Sequence, residues 1–96
     1  MDFKVLITDT AIEDLKEIVE FVALDDPQAA ARLGEKLISR ALSLSDLPER
    51  HPFHDEDRGI RKMPVASYIV YYSCHSSPKM VYILHFWHGA RQHPEF

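Results

Sequence analysis

The chain has 96 residues, of which 46% are apolar and 27% are charged, which is typical of one small globular domain over residues 1–96. Its single cysteine excludes an internal disulfide, and the opening "MDFKVLITDT" is too polar for a secretory leader, so we expect a cytoplasmic protein. No apolar run approaches the roughly 20 residues that a membrane-spanning helix needs, and we therefore expect no membrane association.

The first half of the chain predicts a strand and two helices. "FKVLIT" alternates in the manner of a strand, and Thr8, Asp9 or Thr10 can cap the helix that follows. The apolar stripe of this helix consists of Ile12, Leu15, Ile18, Val19, Phe21 and Val22. "DDPQ" begins a second helix, with Pro27 at its first position. Its stripe consists of Ala30, Leu33, Leu37, Ala41 and Leu44. Because almost no loop separates the two helices, we expect an antiparallel helical hairpin.

The second half predicts a polar loop and three strands. "ERHPFHDEDRG" shows no regular pattern, whereas "IRKMPV", "SYIVYYSC" and "KMVYILHFWH" indicate strands through their apolar, β-branched and aromatic residues. The turn "HSSPK" joins the last two strands into a hairpin. The order β-α-α-β-β-β predicts an α+β fold, in which the helical hairpin packs on a small antiparallel sheet.

Metal, cofactor and nucleophile chemistry receive little support from the sequence. His51 and His54, like His85 and His88, are three residues apart, which on a strand puts their rings on opposite faces. We therefore expect no metal site. No glycine-rich phosphate loop is present, so we expect no cofactor. Cys74 is interpreted as a small buried side chain.

A group of basic residues is the strongest candidate for function. Arg58, Arg61 and Lys62 lie at the start of the first late strand, and His88 and Arg91 lie at the end of the last. In an antiparallel sheet the start of one strand can neighbour the end of another, so these five residues form a candidate target-binding site. Arginine binds phosphate and histidine transfers protons near neutral pH, a combination that suits cleavage of an RNA backbone.

The alternative reading of these residues is a solvated surface, or pairing with the acids at positions 55–57. The chain as a whole is acidic, with a net charge of −4, and residues 1–27 hold eight acids against two lysines. A nucleic-acid footprint over the whole surface is therefore disfavoured, although the second half leaves room for a local basic site. Gly89 is expected to let the chain leave the last strand with unusual backbone angles.

Several motifs together resemble a known family. They are "A-x-x-D-L-x-E-I" from Ala11, Leu47-Pro48 leading into "G-I-R-K-M-P-V-x-x-Y-I-V-Y-Y", and "V-x-I-x-x-x-W-H-G-A-R" ending at Arg91. In this order and spacing the chain resembles the RelE/ParE superfamily of toxins from type II toxin–antitoxin modules. It is most similar to the ParE-like, or plasmid-stabilisation, branch. The resemblance covers nearly the whole chain and implies the same helical hairpin on a sheet.

This resemblance implies a toxin that inhibits growth and is neutralised by a cognate antitoxin in a hetero-oligomer. The acidic balance favours ParE-like action, which is binding to DNA gyrase. The alternative is a ribosome-dependent endoribonuclease acting on messenger RNA, with Arg61, His88 and Arg91 as its catalytic residues. A third possibility is a non-toxic binding module. The motifs assign no antitoxin-binding residues.

Overall fold

The computed structural model describes residues 2–91, and its two helices form the predicted hairpin. Helix α1 spans Asp9–Ala23 and helix α2 spans Pro27–Leu42. The side chain of Thr8 accepts a hydrogen bond from the amide of Ala11, and Asp26 caps α2 in the same way. Short 3₁₀ turns at Ser43–Ser45 and Pro48–Arg50 follow α2. Within the described residues, neither helix is long and apolar enough to cross a membrane.

Five strands form one mixed sheet. They are β1 (Lys4–Ile7), β2 (Phe53–Asp55), β3 (Ile60–Val65), β4 (Tyr68–Ser76) and β5 (Lys79–His88). Their order across the sheet is β1-β5-β4-β3-β2, and β1 is parallel to β5 while every other pair is antiparallel. The hairpin on a small sheet is therefore confirmed, but the expectation of an antiparallel sheet throughout needs correction. Strand direction at β1 depends on a pairing some 75 residues away, which local patterns do not encode.

Strand β2 lies inside the segment that the sequence predicts as a loop. It forms because Phe53 and Asp55 pair with Arg61 and Ile60 of β3, with a register irregularity between them. Gly59 completes the turn into β3 with a φ of 69°. A three-residue edge strand of this kind carries too few residues to show an alternating pattern in the sequence.

The core lies between the hairpin and one face of the sheet. Its fully buried members are Ala11, Leu37, Ala41, Leu44, Met63, Val65, Val70, Tyr72, Val81, Ile83 and Phe86. The predicted stripe of α2 is confirmed at Ala41 and Leu37, and that of α1 at Leu15 and Ile18 but not at its two sides. Ile12 and Phe21 are 50% and 74% exposed, whereas the small Ala11 is completely buried against the sheet. Ala11 and the partly buried Leu15 and Ile18 thus pack against the core, whereas Ile12 and Phe21, at the sides of the predicted stripe, are exposed.

Strand β5 continues past the end of its parallel neighbour. The pairing with β1 stops at Ile7 and Ile83, where the chain turns into α1. Thr8 anchors this turn, because its amide and its hydroxyl both donate to the carbonyl of Ile83, at 3.1 and 2.7 Å. Beyond Ile83 the edge of β5 therefore lies beside α1 in place of a strand, and this position decides the surroundings of His88.

Candidate functional site

The structure places the five candidate basic residues at two ends of the sheet. Strands β3 and β5 are both antiparallel to β4, so they run in the same direction. Arg61 pairs with Tyr72 on β4, whereas His88 pairs with Tyr68, four residues away along the same strand. At about 3.3 Å per residue and 4.8 Å per strand, Arg61 and His88 are roughly 16 Å apart. The expected meeting of the two groups does not occur in this structure.

At the first end, Arg61 fastens the loop before β2. Its guanidinium Nη1 donates to the carbonyls of Glu49 and His51, at 3.0 and 2.7 Å. The guanidinium also lies 3.9 Å from the centre of the Phe53 ring. Lys62 is half-buried, and Arg58 is exposed at the turn into β3. Two N–H donors of Arg61 are therefore engaged in hydrogen bonds within the protein.

Two titratable side chains lie beside this loop. Burial, together with the positive charges of Arg50, Arg40 and Arg61, lowers the pKa of His51 below its ordinary value of 6.5. The hydroxyl of Tyr72 donates to the carbonyl of Pro48, and burial raises the pKa of this tyrosine to about 12. The loop is therefore held by a neutral hydrogen bond from Tyr72 and by two hydrogen bonds from the Arg61 guanidinium.

At the second end, His88 and Arg91 lie on a cleft of about 460 Å³ between α1 and the sheet. The cleft also carries the carboxylates of Asp14 and Glu17 and the aromatic rings of Phe21 and Tyr68. It therefore combines acidic, basic and apolar groups on one surface, with the largely exposed Phe21 at its rim.

The ring of His88 is oriented by its neighbours. It meets the Tyr68 ring edge to face at a centroid distance of 5.0 Å, and its Nδ1 accepts from the amide of Ala90 at 3.1 Å. In the neutral ring this leaves the proton on Nε2. The guanidinium of Arg91 is exposed and lies 5.4 Å from the centre of the Trp87 ring. Both side chains can thus meet an incoming partner.

Gly89 is required for close approach and not for unusual backbone angles, so that expectation is wrong. Its φ lies outside the left-handed region, in contrast to that of Gly59. Its amide donates to the carbonyl of Ser67 at 2.8 Å, and a Cβ atom at this position would lie 2.9 Å from the same oxygen. The turn between β3 and β4 therefore fixes the end of β5 through a contact that only glycine permits.

Asp14, which lines the cleft, and His85, which Asp14 contacts across the edge of β5, were not among the residues predicted to be functional. Oδ2 of Asp14 lies 2.8 Å from Nδ1 of His85 and 3.2 Å from the backbone nitrogen of Phe86. More than 70 residues separate the partners in sequence. Asp14 does belong to the "A-x-x-D-L" motif, which was the signal available. In the part of the chain that the structure describes, no cluster of three metal-ligating side chains is present.

A third group of polar side chains lies on the other face of the sheet. Lys62, Tyr71 and His85 are cross-strand neighbours in register, and the ring of His54 packs on Tyr71 at a centroid distance of 4.7 Å. Tyr71 is nevertheless completely buried, which raises the pKa of its hydroxyl. This row is therefore a packed layer and not an open site.

Comparisons with known proteins first define the class. The fold is similar to that in the chromosomal ParDE TA system from P. aeruginosa, at 18% identity and a TM-score of 0.76, over 90% of this chain and 95% of that chain. It is also similar to the toxin–antitoxin complex RelBE2 from Mycobacterium tuberculosis, at 24% identity and a TM-score of 0.67, over 92% and 99%. At such identities the likeness shows a shared fold. No curated protein sequence matches.

The family follows from the sequence itself. A model described as ParE toxin of type II toxin-antitoxin system, parDE, matches residues 5–93. The chain therefore belongs to the ParE toxin family of type II toxin–antitoxin systems. The resemblance inferred from its motifs is confirmed.

Proposed function

We propose that this toxin stops growth in the cytoplasm by binding DNA gyrase, and that a cognate antitoxin neutralises it in a hetero-oligomer. Membership of the ParE family supports the toxin role. The antitoxin partner is supported by the two structures of similar fold, whose descriptions name a ParDE system and a toxin–antitoxin complex. Gyrase as the target rests on the ParE-like character of the sequence and on the chemistry of the cleft.

The mixed character of the cleft is the observation that carries this proposal. Asp14 and Glu17 line the same surface as His88 and Arg91, so a polyanion that approached the basic pair would also meet two carboxylates. The net charge of −4 adds to this repulsion. Aromatic residues and arginine are enriched at protein–protein interfaces, and the cleft carries Phe21, Tyr68 and Arg91.

Arg91 is the residue best placed to make the contact. It is exposed, and within residues 2–91 its guanidinium forms no ion pair with a carboxylate. A guanidinium of this kind, stacked near an aromatic ring, can bind a carboxylate of the partner through two parallel hydrogen bonds. Such residues are over-represented among those that dominate binding energy at interfaces.

The alternative is a ribonuclease that uses the same end of the sheet. His88 beside Arg91 favours it, because the imidazole could transfer a proton while the guanidinium stabilised the phosphate. Arg61 does not join them in this conformation, since its Cα lies roughly 16 Å from that of His88 and its guanidinium donates to the carbonyls of Glu49 and His51. A third candidate is a binding module without toxicity.

The test is pulse-labelling of DNA, RNA and protein synthesis in the first minutes after the chain is expressed without an antitoxin. We expect DNA synthesis to fail first, with strand breaks. Arg91→Ala should abolish this effect while the melting temperature stays within about 2 °C, since an exposed side chain contributes little to stability. Lys36→Ala, which removes another exposed cation far along α2, is the matched control and should remain fully toxic.

Other outcomes separate the alternatives. Early failure of protein synthesis, lost in His88→Gln while ribosome binding persists, would support the ribonuclease and contradict gyrase binding. Full toxicity of a folded Arg91→Ala protein would remove this residue from the contact. Unchanged synthesis of all three polymers, from folded wild-type protein, would leave the non-toxic binding module.

A further inference from the structure

The end of β5 has a backbone edge that no strand covers within the described residues. Its pairing with β1 stops at Ile83, yet the strand continues for five residues to His88. On this side the exposed amides of a strand must find another acceptor, or they remain solvated and open to fraying. His88 is the last residue of this stretch, and Arg91 lies three residues beyond it.

Asp14 supplies an acceptor at this edge. One oxygen of its carboxylate, Oδ2, accepts from the backbone amide of Phe86 at 3.2 Å and from the His85 ring at 2.8 Å. The side chains of His85 and Asp14 are 21% and 23% exposed, so water competes only in part for these bonds. Hydrogen bonds to a charged acceptor are shorter and stronger than neutral ones. The side chain of α1 thus takes the place that a backbone carbonyl of β1 would occupy.

We propose that Asp14 is a positioning residue, whose carboxylate clamps the free edge of β5 at His85 and Phe86 and so holds His88 and Arg91 over the cleft. The clamp itself stands on the two contacts. Its consequence for toxicity rests on the proposed function.

The register of β5 explains why this clamp reaches His88. Phe86 and His88 are two residues apart and therefore lie on the same face of the strand, where both line the cleft. On its other side His88 is held by Tyr68 of β4, and the following residue is held by Ser67. Asp14 is the corresponding restraint from α1. Without it, the backbone of β5 at Phe86 would lose this hydrogen bond to α1.

The place of Asp14 along α1 determines how the clamp restrains β5. Asp14 lies one and a half turns from the start of α1, which Thr8 already fixes to Ile83. Two attachments on one helix, at Ile83 and at Phe86, set both the position and the angle of β5 relative to α1. Pairing with β4 holds the opposite edge of the strand along the same stretch.

The first experiment measures the clamp without reference to toxicity. Amide hydrogen exchange of purified protein is followed by ¹H–¹⁵N NMR for the wild type, Asp14→Ala, Asp14→Asn and Glu13→Ala. In Asp14→Ala we expect the Phe86 amide to exchange about 10- to 100-fold faster, since a bond to a charged group is lost. Asp14→Asn keeps an acceptor oxygen without the charge and should give an intermediate rate. Glu13→Ala removes the neighbouring exposed acid of α1 and should match the wild type.

The second readout asks whether the clamp positions the contact residues. The same variants are expressed at matched levels and scored for growth arrest beside Arg91→Ala. We expect Asp14→Ala to need roughly tenfold more protein for arrest, and Asp14→Asn to recover part of that loss. A merely structural loss of stability would follow melting temperature in both variants, whereas positioning predicts that toxicity follows the exchange rate of Phe86.

The outcomes distinguish failure of the clamp from failure of the proposed function. Unchanged exchange of Phe86 in Asp14→Ala would overturn the clamp. Faster exchange with undiminished growth arrest, while Arg91→Ala is inactive, would overturn positioning and leave the proposed function intact. Growth arrest that survives Arg91→Ala would overturn the proposed contact site, and the exchange measurement would still decide whether the clamp exists.

Discussion

The two ends of the sheet use the same residue type in opposite ways. Arg61 and Arg91 each lie near a strand end with the guanidinium over an aromatic ring, Phe53 in one case and Trp87 in the other. Arg61 donates to two backbone carbonyls of its own chain, whereas the guanidinium of Arg91 has no such acceptor among residues 2–91. An arginine whose N–H donors are bound by carbonyls of its own chain is a structural brace. An arginine without such acceptors keeps these donors available for a partner.

The largest expected effect comes from removing the brace. Arg61→Ala eliminates two charge-assisted hydrogen bonds and the contact with Phe53, and it leaves the carbonyls of Glu49 and His51 to water. We expect the free energy of unfolding to fall by about 2 kcal/mol, which corresponds to roughly 10 °C in melting temperature for a chain of this size. Thermal denaturation followed by circular dichroism measures it.

Arg58→Ala is the control for the brace, because it removes a neighbouring exposed arginine. Its melting temperature should change by less than about 3 °C. An equally small change in Arg61→Ala would mean that the two ends of the sheet do not differ in the way proposed here.

A second substitution tests whether the backbone at Gly89 positions the end of the sheet that carries His88 and Arg91. Gly89→Ala places a methyl group 2.9 Å from the Ser67 carbonyl, so either the strand end or the β3–β4 turn must move. We expect a loss of about 1 kcal/mol in stability together with reduced growth arrest, because the shift displaces His88. Ala90→Ser, which adds one polar atom at the next exposed position, should leave both unchanged. Normal toxicity in Gly89→Ala would show that this close approach does not position the site.

The smallest expected effect is the change of stability with pH that His51 causes at the end of the sheet braced by Arg61. The folded state lowers the pKa of His51, so between that value and 6.5 the unfolded chain binds more protons than the folded one. This group therefore contributes stability above about pH 6.5 that is lost as the pH falls through the lowered pKa. The drop in melting temperature from pH 7 to pH 5 should be smaller in His51→Gln than in the wild type. An identical drop in both proteins would contradict the lowering of the His51 pKa by burial and by the nearby arginines.

Much of the fold was predictable because its signals are local. The cap at Asp26 with Pro27, the stripe of α2 and the aromatic strands β4 and β5 depend on residues a few positions apart. The parallel placement of β1 and the short strand β2 were missed, since both depend on pairing that a period in the sequence does not reveal. Phe21 was predicted to lie on the core-facing stripe of α1 and is 74% exposed, whereas Leu15 and Ile18 of the same stripe pack against the core.

The candidate site likewise contains residues that were predictable from the sequence and residues that were not. His88 and Arg91 were named from their place after an aromatic strand, and the cleft contains both. Their acidic neighbours Asp14 and Glu17 could not be placed there in advance, because more than 70 residues of chain separate the two groups. Arg61 was grouped with them on the assumption that strand ends meet, and strand direction separated them.

The amino-acid sequence by itself determined the family, the helical hairpin, the late strands and the identity of the groups available for chemistry. Periodicity, capping and motif order are properties of neighbouring residues, and they act before the chain is compact. Only the tertiary structure decided which arginine is braced by carbonyls and which faces a cleft, and which carboxylate clamps the edge of β5. Those outcomes depend on strand register and on the rotation of α1 about its axis, which long-range packing sets.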